Sequence, residues 1–326
     1  MPLCKFILIF LFMFTNLNLF SFEEGTATNN GVSIYYRDYG PIDAEPILLV
    51  QGLGGQLINW PQHLIQFLID NNFRPIVYDN RDTGLSSRIQ SDKFDDDKRT
   101  NTIVKSYIRY YLRLPIESEY TIDDMADDAI SVLDELNIEN AHILGISMGG
   151  MIAQIIASNY SERTKTFTMI ASTASTPSPF NGPTRKVRKL LMERTNNPNS
   201  SVDERVNRTR KIFSEIGYQG IDLNTDEFYN DISSSIERGG KDDTGFGRQL
   251  TAILGSENRL DKVKAIKAQT LIIHGKEDPL IRVKNAYKTK KLIDNSKLII
   301  ISDMRHLIEI PVFDQFKNEL LKHLNS

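Results

Sequence analysis

Residues 141–158 read AHILGISMGGMIAQIIAS, six strand-type residues that run into a small-residue-rich helical stretch with one serine between them. A buried strand that becomes a helix without a loop needs a sharp turn, and the helix must then fold back across the sheet. The rest of the chain keeps this rhythm. Period-two alternation over 31–40 marks an early strand, and short apolar runs at 46–50, 75–78, 167–171, 270–275 and 297–302 read as buried strands. Helical spacing follows several of them, at 60–71 and at 121–136. In the second of these Thr121 can cap, and Ile122, Met125, Ala129, Val132, Leu133 and Leu136 share one face. Strands alternating with helices imply an α/β fold, a mostly parallel central sheet with helices on both faces. Apolar residues make up 40% and charged residues 25% of 326 positions, enough for a full core and incompatible with disordered, collagen-like or coiled-coil chains.

One interval breaks the alternation. Between about 173 and 262 no buried strand is evident. A Pro/Ser/Gly-rich stretch leads into helical patterns at 185–195, 203–216, 226–238 and 247–256. Strand-type runs resume at 270, so the simplest organisation is a core of 22–172 and 263–326 with a helical lid, 173–262, inserted between late strands. The N-terminus is distinct again. Lys5 precedes nine unbroken apolar residues, 6–14, which is shorter than a membrane span and fits a signal peptide. Residues 1–21 are therefore expected to direct export, with cleavage after Ser21 or Ala27; an uncleaved membrane anchor or a helix packed on the body are the alternatives. The net charge of -3 provides no basic field for nucleic acid or anionic lipid, and the single cysteine, Cys4, excludes a disulfide scaffold or a cysteine-based metal site.

Three places carry chemistry. In Gly145-Ile146-Ser147-Met148-Gly149 a serine sits between glycines on a strand-to-helix turn, which lifts its hydroxyl clear of the sheet. The following helix N-terminus brings the Met148 N–H beside any anion that develops there. Gln51-Gly52-Leu53-Gly54-Gly55 follows the 46–50 strand. Gly52 and Gly54 let this loop approach the serine, with the Leu53 N–H as a second donor; the plain alternative is a glycine-rich turn that merely bends the chain. A serine hydroxyl needs a general base, and a histidine base needs a carboxylate to fix its tautomer. Asp278 follows the 270–275 strand and His306 the 297–302 strand, both beyond strand C-termini, where open α/β sheets build their sites.

Other histidines and carboxylates compete for these positions. His142 and His274 lie within strands and read as packing; His63 sits in a helix near the 51–55 loop and His323 in the terminal helix. Glu277 and Asp303 are rival acids, and Asp278 is preferred for its place before Pro279. Residues 172–178 offer no carboxylate. The turn Arg81-Asp82-Thr83-Gly84 reads as structural. Residues 93–100 interleave carboxylates with three cations, so they read as a solvated loop and not as a metal site. Tyr107, Tyr110 and Tyr111 read as helix packing.

On QGLGGQLINWP, YDNRDTGLSS, the stretch from Tyr120 through GISMGGMIAQ, and HGKEDPLI with the His306 turn, the chain from about Gly31 onward resembles the α/β-hydrolase superfamily. Within it the chain resembles the methylesterase-like and carboxylesterase-like branch that includes aclacinomycin methylesterase. The resemblance implies a serine hydrolase without cofactor or metal, acting on a small-molecule ester. Ser147 would be nucleophile, His306 base, Asp278 acid, and Leu53 and Met148 oxyanion donors. Of the inserted segment only GRQLTAIL matches well. Gln51 stands where many relatives have histidine, and Met304-Arg305 precedes His306 where glycine-rich turns are common. A proline-iminopeptidase-like activity is the enzymatic alternative, although Met148 stands where that family usually has tryptophan. A non-catalytic binder on the same fold is the other.

Overall fold

A computed structural model of the chain describes residues 21–90, 99–175, 182–195, 200–239 and 244–326. The expected signal segment, apart from Ser21, lies outside the described residues, as do most of the 93–100 loop and much of the Pro/Ser/Gly-rich stretch. Eight strands form one sheet: β1 (Glu23–Asn29), β2 (Val32–Asp38), β3 (Glu45–Val50), β4 (Phe73–Tyr78), β5 (Ala141–Ile146), β6 (Thr164–Ile170), β7 (Gln269–Gly275) and β8 (Ser296–Ile301), in the order β1-β2-β4-β3-β5-β6-β7-β8. The first two strands are antiparallel to their neighbours, and all pairings from β4 to β8 are parallel. Asn30 and Gly31, both at positive φ, close the β1–β2 hairpin.

Helices α1 (Gln62–Asp70), α3 (Ile122–Glu135), α4 (Met148–Asn159), α10 (Lys284–Lys290) and α11 (Ile310–Leu324) flank the sheet, and α2 (Arg99–Leu112) lies between β4 and α3 in the chain. Alternate strand residues feed two cores. Leu48, Val50 and Ile143 pack with α3 and α4, whereas Ile47, Leu49, Leu144 and Ile146 pack with α1 and α11. Both faces are covered, which is why these strands read as continuous apolar runs. Thr121 does cap α3: its hydroxyl accepts from the Asp124 amide at 3.1 Å, and the Asp124 carboxylate accepts from the Thr121 amide at 2.7 Å.

Between β6 and β7 lie α5 (Arg185–Thr195), α6 (Val202–Ile216), α7 (Asp226–Arg238), α8 (Thr244–Leu254) and α9 (Leu260–Lys264). Helix α8 begins three residues before the expected 247. Its first turn holds two glycines, which have low helix propensity, but at Gly245 a Cβ would stand 2.2 Å from the Asp82 carbonyl oxygen, so close packing overrides propensity. Tyr110 is buried on α2, as expected; Tyr111 is instead 48% exposed, with the Arg188 guanidinium over its ring.

Candidate active site

Ser147 joins β5 to α4 with φ 55° and ψ -119°, a conformation that L-residues rarely adopt. The flanking glycines are sterically required. A Cβ on Gly149 would stand 1.9 Å from the Val50 carbonyl oxygen, and one on Gly145 would stand 2.3 Å from the Gly149 carbonyl oxygen. The turn is pinned to the next strand by Ser147 N–H donating to Ile170 O at 2.9 Å, and the Ser172 hydroxyl donates to Ser147 O at 2.6 Å.

The 51–55 loop lies against this turn: a Cβ on Gly52 would be 3.3 Å from Ser147 Cβ. Gln51, buried, folds its side chain back so that Oε1 accepts from the Gly52 amide at 2.8 Å. The Leu53 and Met148 amides have no acceptor among the described residues. Two N–H groups therefore stay free beside the serine, the second of them at the positive end of α4.

Asp278 and His306 meet beyond β7 and β8. His306 Nδ1 is 2.7 Å from Asp278 Oδ2, and both residues are buried. The other oxygen, Oδ1, accepts from the Leu280 and Ile281 amides at 2.8 Å each, so the carboxylate is held from both sides. The rival acids Glu277 and Asp303 are both exposed. His274 stands 3.5 Å from Asp278 Oδ2 through Nε2, which lies 2.7 Å from Ile281 O; burial lowers its pKa. The remaining histidines are packed elsewhere. Burial holds His142, beside Thr166 Oγ1, and His323, beside Phe167 O, at pKa values of about 4, and His63 rests on the Phe313 ring.

Sequence reasoning gave no account of what holds the His306 loop, and the structure supplies one. The His306 amide donates to Ile216 O at 2.7 Å, Arg305 Nη1 to Glu215 O at 2.5 Å, and the Tyr218 amide to Glu309 Oε1 at 2.7 Å. The C-terminal end of α6 thus grips the loop. The Ser147 hydroxyl itself makes no hydrogen bond to His306 or to any other side chain among the described residues.

The loop after β4 is a scaffold, as read from sequence. The Arg81 guanidinium is 2.6 Å from Asp128, and Arg248 of α8 makes a two-pronged bond to Asp82 at 2.7 and 2.8 Å. Arg238 of α7 reaches Asp79 at 2.7 Å. These ion pairs tie the loop to α3, α7 and α8. Arg248 and Gln249 went unassigned in the sequence; their signal was a cation and an amide at the head of the mostly apolar GRQLTAIL. Among the described residues no group of three His, Cys, Asp or Glu side chains is arranged to hold a metal ion.

The fold is shared with known proteins. A family model described as alpha/beta hydrolase fold matches residues 45–310. Rhodomycin D methylesterase of Streptomyces peucetius is 24% identical over 315 residues, covering 92% of this chain and 97% of that protein. A non-heme chloroperoxidase of Burkholderia pyrrocinia is 24% identical over 285 residues, covering 83% and 88%. Among solved structures, the enol-lactonase from Burkholderia xenovorans superposes with a TM-score of 0.69 at 20% identity, covering 93% of this chain and 100% of that one. With the family match spanning most of its length and the sheet order to accompany it, the chain belongs to the alpha/beta hydrolase fold family and is an enzyme of that fold.

Proposed function

We propose that the chain is a serine esterase that cleaves small or medium-sized carboxylic esters through an acyl-enzyme. Ser147 attacks the carbonyl carbon while His306 takes its proton, and Asp278 holds the imidazole tautomer and stabilises the imidazolium. The Leu53 and Met148 amides receive the oxyanion, each donor worth about 3 kcal/mol. His306 then protonates the leaving alcohol, and water repeats the cycle on the acyl-enzyme. The observation that carries this reading is the buried Asp278–His306 pair at the same end of the sheet as the strained Ser147 turn. The reading requires His306 Nε2 to reach Ser147 Oγ during turnover; catalytic hydrogen bonds commonly tighten only in the substrate complex. The methylesterase relative supports ester chemistry over amide chemistry.

The helices between 173 and 262 serve as a lid over the strand ends, a role supported by the bonds from α6 to the His306 loop and from α7 and α8 to the loop after β4. Residues 1–21 direct export and are removed.

The nucleophile is tested by Ser147→Ala. Hydrolysis of a short p-nitrophenyl ester should fall by at least about 10³-fold while Tm stays within a few degrees of the parent. Activity retained at the parental rate overturns the assignment.

A further inference from the structure

We propose that Gln249 is a positioning residue that aims the Leu53 amide at the oxyanion, a claim that rests on the Ser147 reading. Gln249 lies on α8, more than a hundred residues from the turn it would serve, and it is fully buried. A buried primary amide is costly unless all its bonds are made. Here Oε1 accepts from the Gly54 amide at 2.8 Å, and Nε2 donates to Arg81 O at 2.8 Å and Thr83 Oγ1 at 2.7 Å.

The nitrogen's two partners fix which end of the side chain faces the loop. A flipped amide would set NH₂ against the Gly54 N–H and a carbonyl against the Arg81 carbonyl. Gly54 sits at φ +68°, so without a tether its peptide plane has a glycine's freedom to rotate. The neighbouring amide is tied in the same manner, Gly52 N–H to Gln51 Oε1. Two glutamine carbonyls therefore occupy the amides on either side of Leu53 and leave the Leu53 N–H alone without a partner. An oxyanion site needs a donor fixed before charge develops, and this arrangement holds the donor without consuming it. Arg248, the preceding residue, anchors the same turn of α8 through Asp82, so Gln249 approaches the loop from a rigid base.

The test compares Gln249→Met, which keeps side-chain volume but loses the acceptor, with Thr83→Val, which removes one bond to the Gln249 nitrogen and leaves the Gly54 bond in place. Labelling of the parent by a fluorophosphonate probe, blocked by Ser147→Ala, establishes the nucleophile independently. Gln249→Met should lower kcat on a p-nitrophenyl ester by about 10- to 100-fold with KM within about threefold, and raise the Ki of an aryl trifluoromethyl ketone by a matching factor. Thr83→Val should leave both within about threefold while lowering Tm. A merely structural tie would instead weaken KM and Tm with no matching change in ketone affinity, and that result overturns the proposal, as does parental kcat in Gln249→Met. An absence of labelling in the parent overturns the nucleophile reading and this role with it. If Gln249→Met does not fold, amide exchange in the parent decides. The Gly54 amide should exchange slowly throughout, and the Leu53 amide fast until the ketone binds; fast exchange at Gly54 overturns the proposal.

Discussion

Ser147 holds a positive φ that costs about 1–3 kcal/mol for a residue with a side chain, and the flanking glycines show how tightly the surroundings enforce it. Strain of this size persists only where neighbouring structure over-determines it, here through the Ile170 and Ser172 bonds and the packed start of α4. The carboxylate of Asp278 is comparably constrained, with two amides on one oxygen and His306 on the other. Asp278→Asn keeps the shape but can present an NH₂ to His306 Nδ1. That favours the tautomer whose Nε2 carries a proton and cannot accept one from Ser147. We expect kcat to fall by about 10³- to 10⁴-fold with KM little changed, measured on the same p-nitrophenyl ester. Asp278 was legible in the sequence because it follows a strand and precedes Pro279. The bond partners of its other oxygen were not, since they depend on how the 278–281 turn folds.

At the scale of elements, β1 was missed. Its seven residues, EEGTATN, bury only Ala27 and show no apolar alternation, so nothing in the pattern marks a strand. It forms because the Asn-Gly turn pairs it with β2 and because α3 packs beside it, with Asn29 Nδ2 donating to Asp128 at 2.9 Å. The strand also separates the two cleavage points. Cleavage after Ser21 leaves β1 whole, whereas cleavage after Ala27 removes residues 23–27 and the strand's buried side chain. The proposed removal of residues 1–21 should therefore give a product with the intact mass of a chain beginning at Phe22. A chain beginning at Thr28 should melt several degrees lower than one beginning at Phe22, by thermal denaturation followed by circular dichroism. Helices 185–195 and 226–238 were readable to the residue because their amphipathic spacing is local. The first turn of α8 was not, because the contact of Gly245 with Asp82 is visible only once the chain is folded.

The whole molecule carries a pH dependence set at the opposite end of β5 from the serine. Burial lowers His142 and His323 to about 4, below the ordinary imidazole value of about 6.5 in an unfolded chain. Between these values the unfolded chain binds protons that the folded chain does not. Their contribution to stability is thus fully present above about 6.5 and is lost as pH falls toward about 4. The Tm of the parent should drop across that window. His142→Gln, which cannot take up that proton in either state, should drop less; equal slopes for the two proteins would remove His142 as a cause. Local pattern in the sequence determined the alternation of strands and helices, the serine turn with its glycines, and the placement of Asp278 and His306 after successive strands, because each is dictated by side chains within a few residues of one another. Tertiary structure alone decided that Gln249 would hold Gly54, that α6 would grip the His306 loop, and that Arg81, Arg238 and Arg248 would be spent on buried carboxylates. Those pairings join segments far apart in the chain, and desolvated polar groups must find partners wherever folding brings them together.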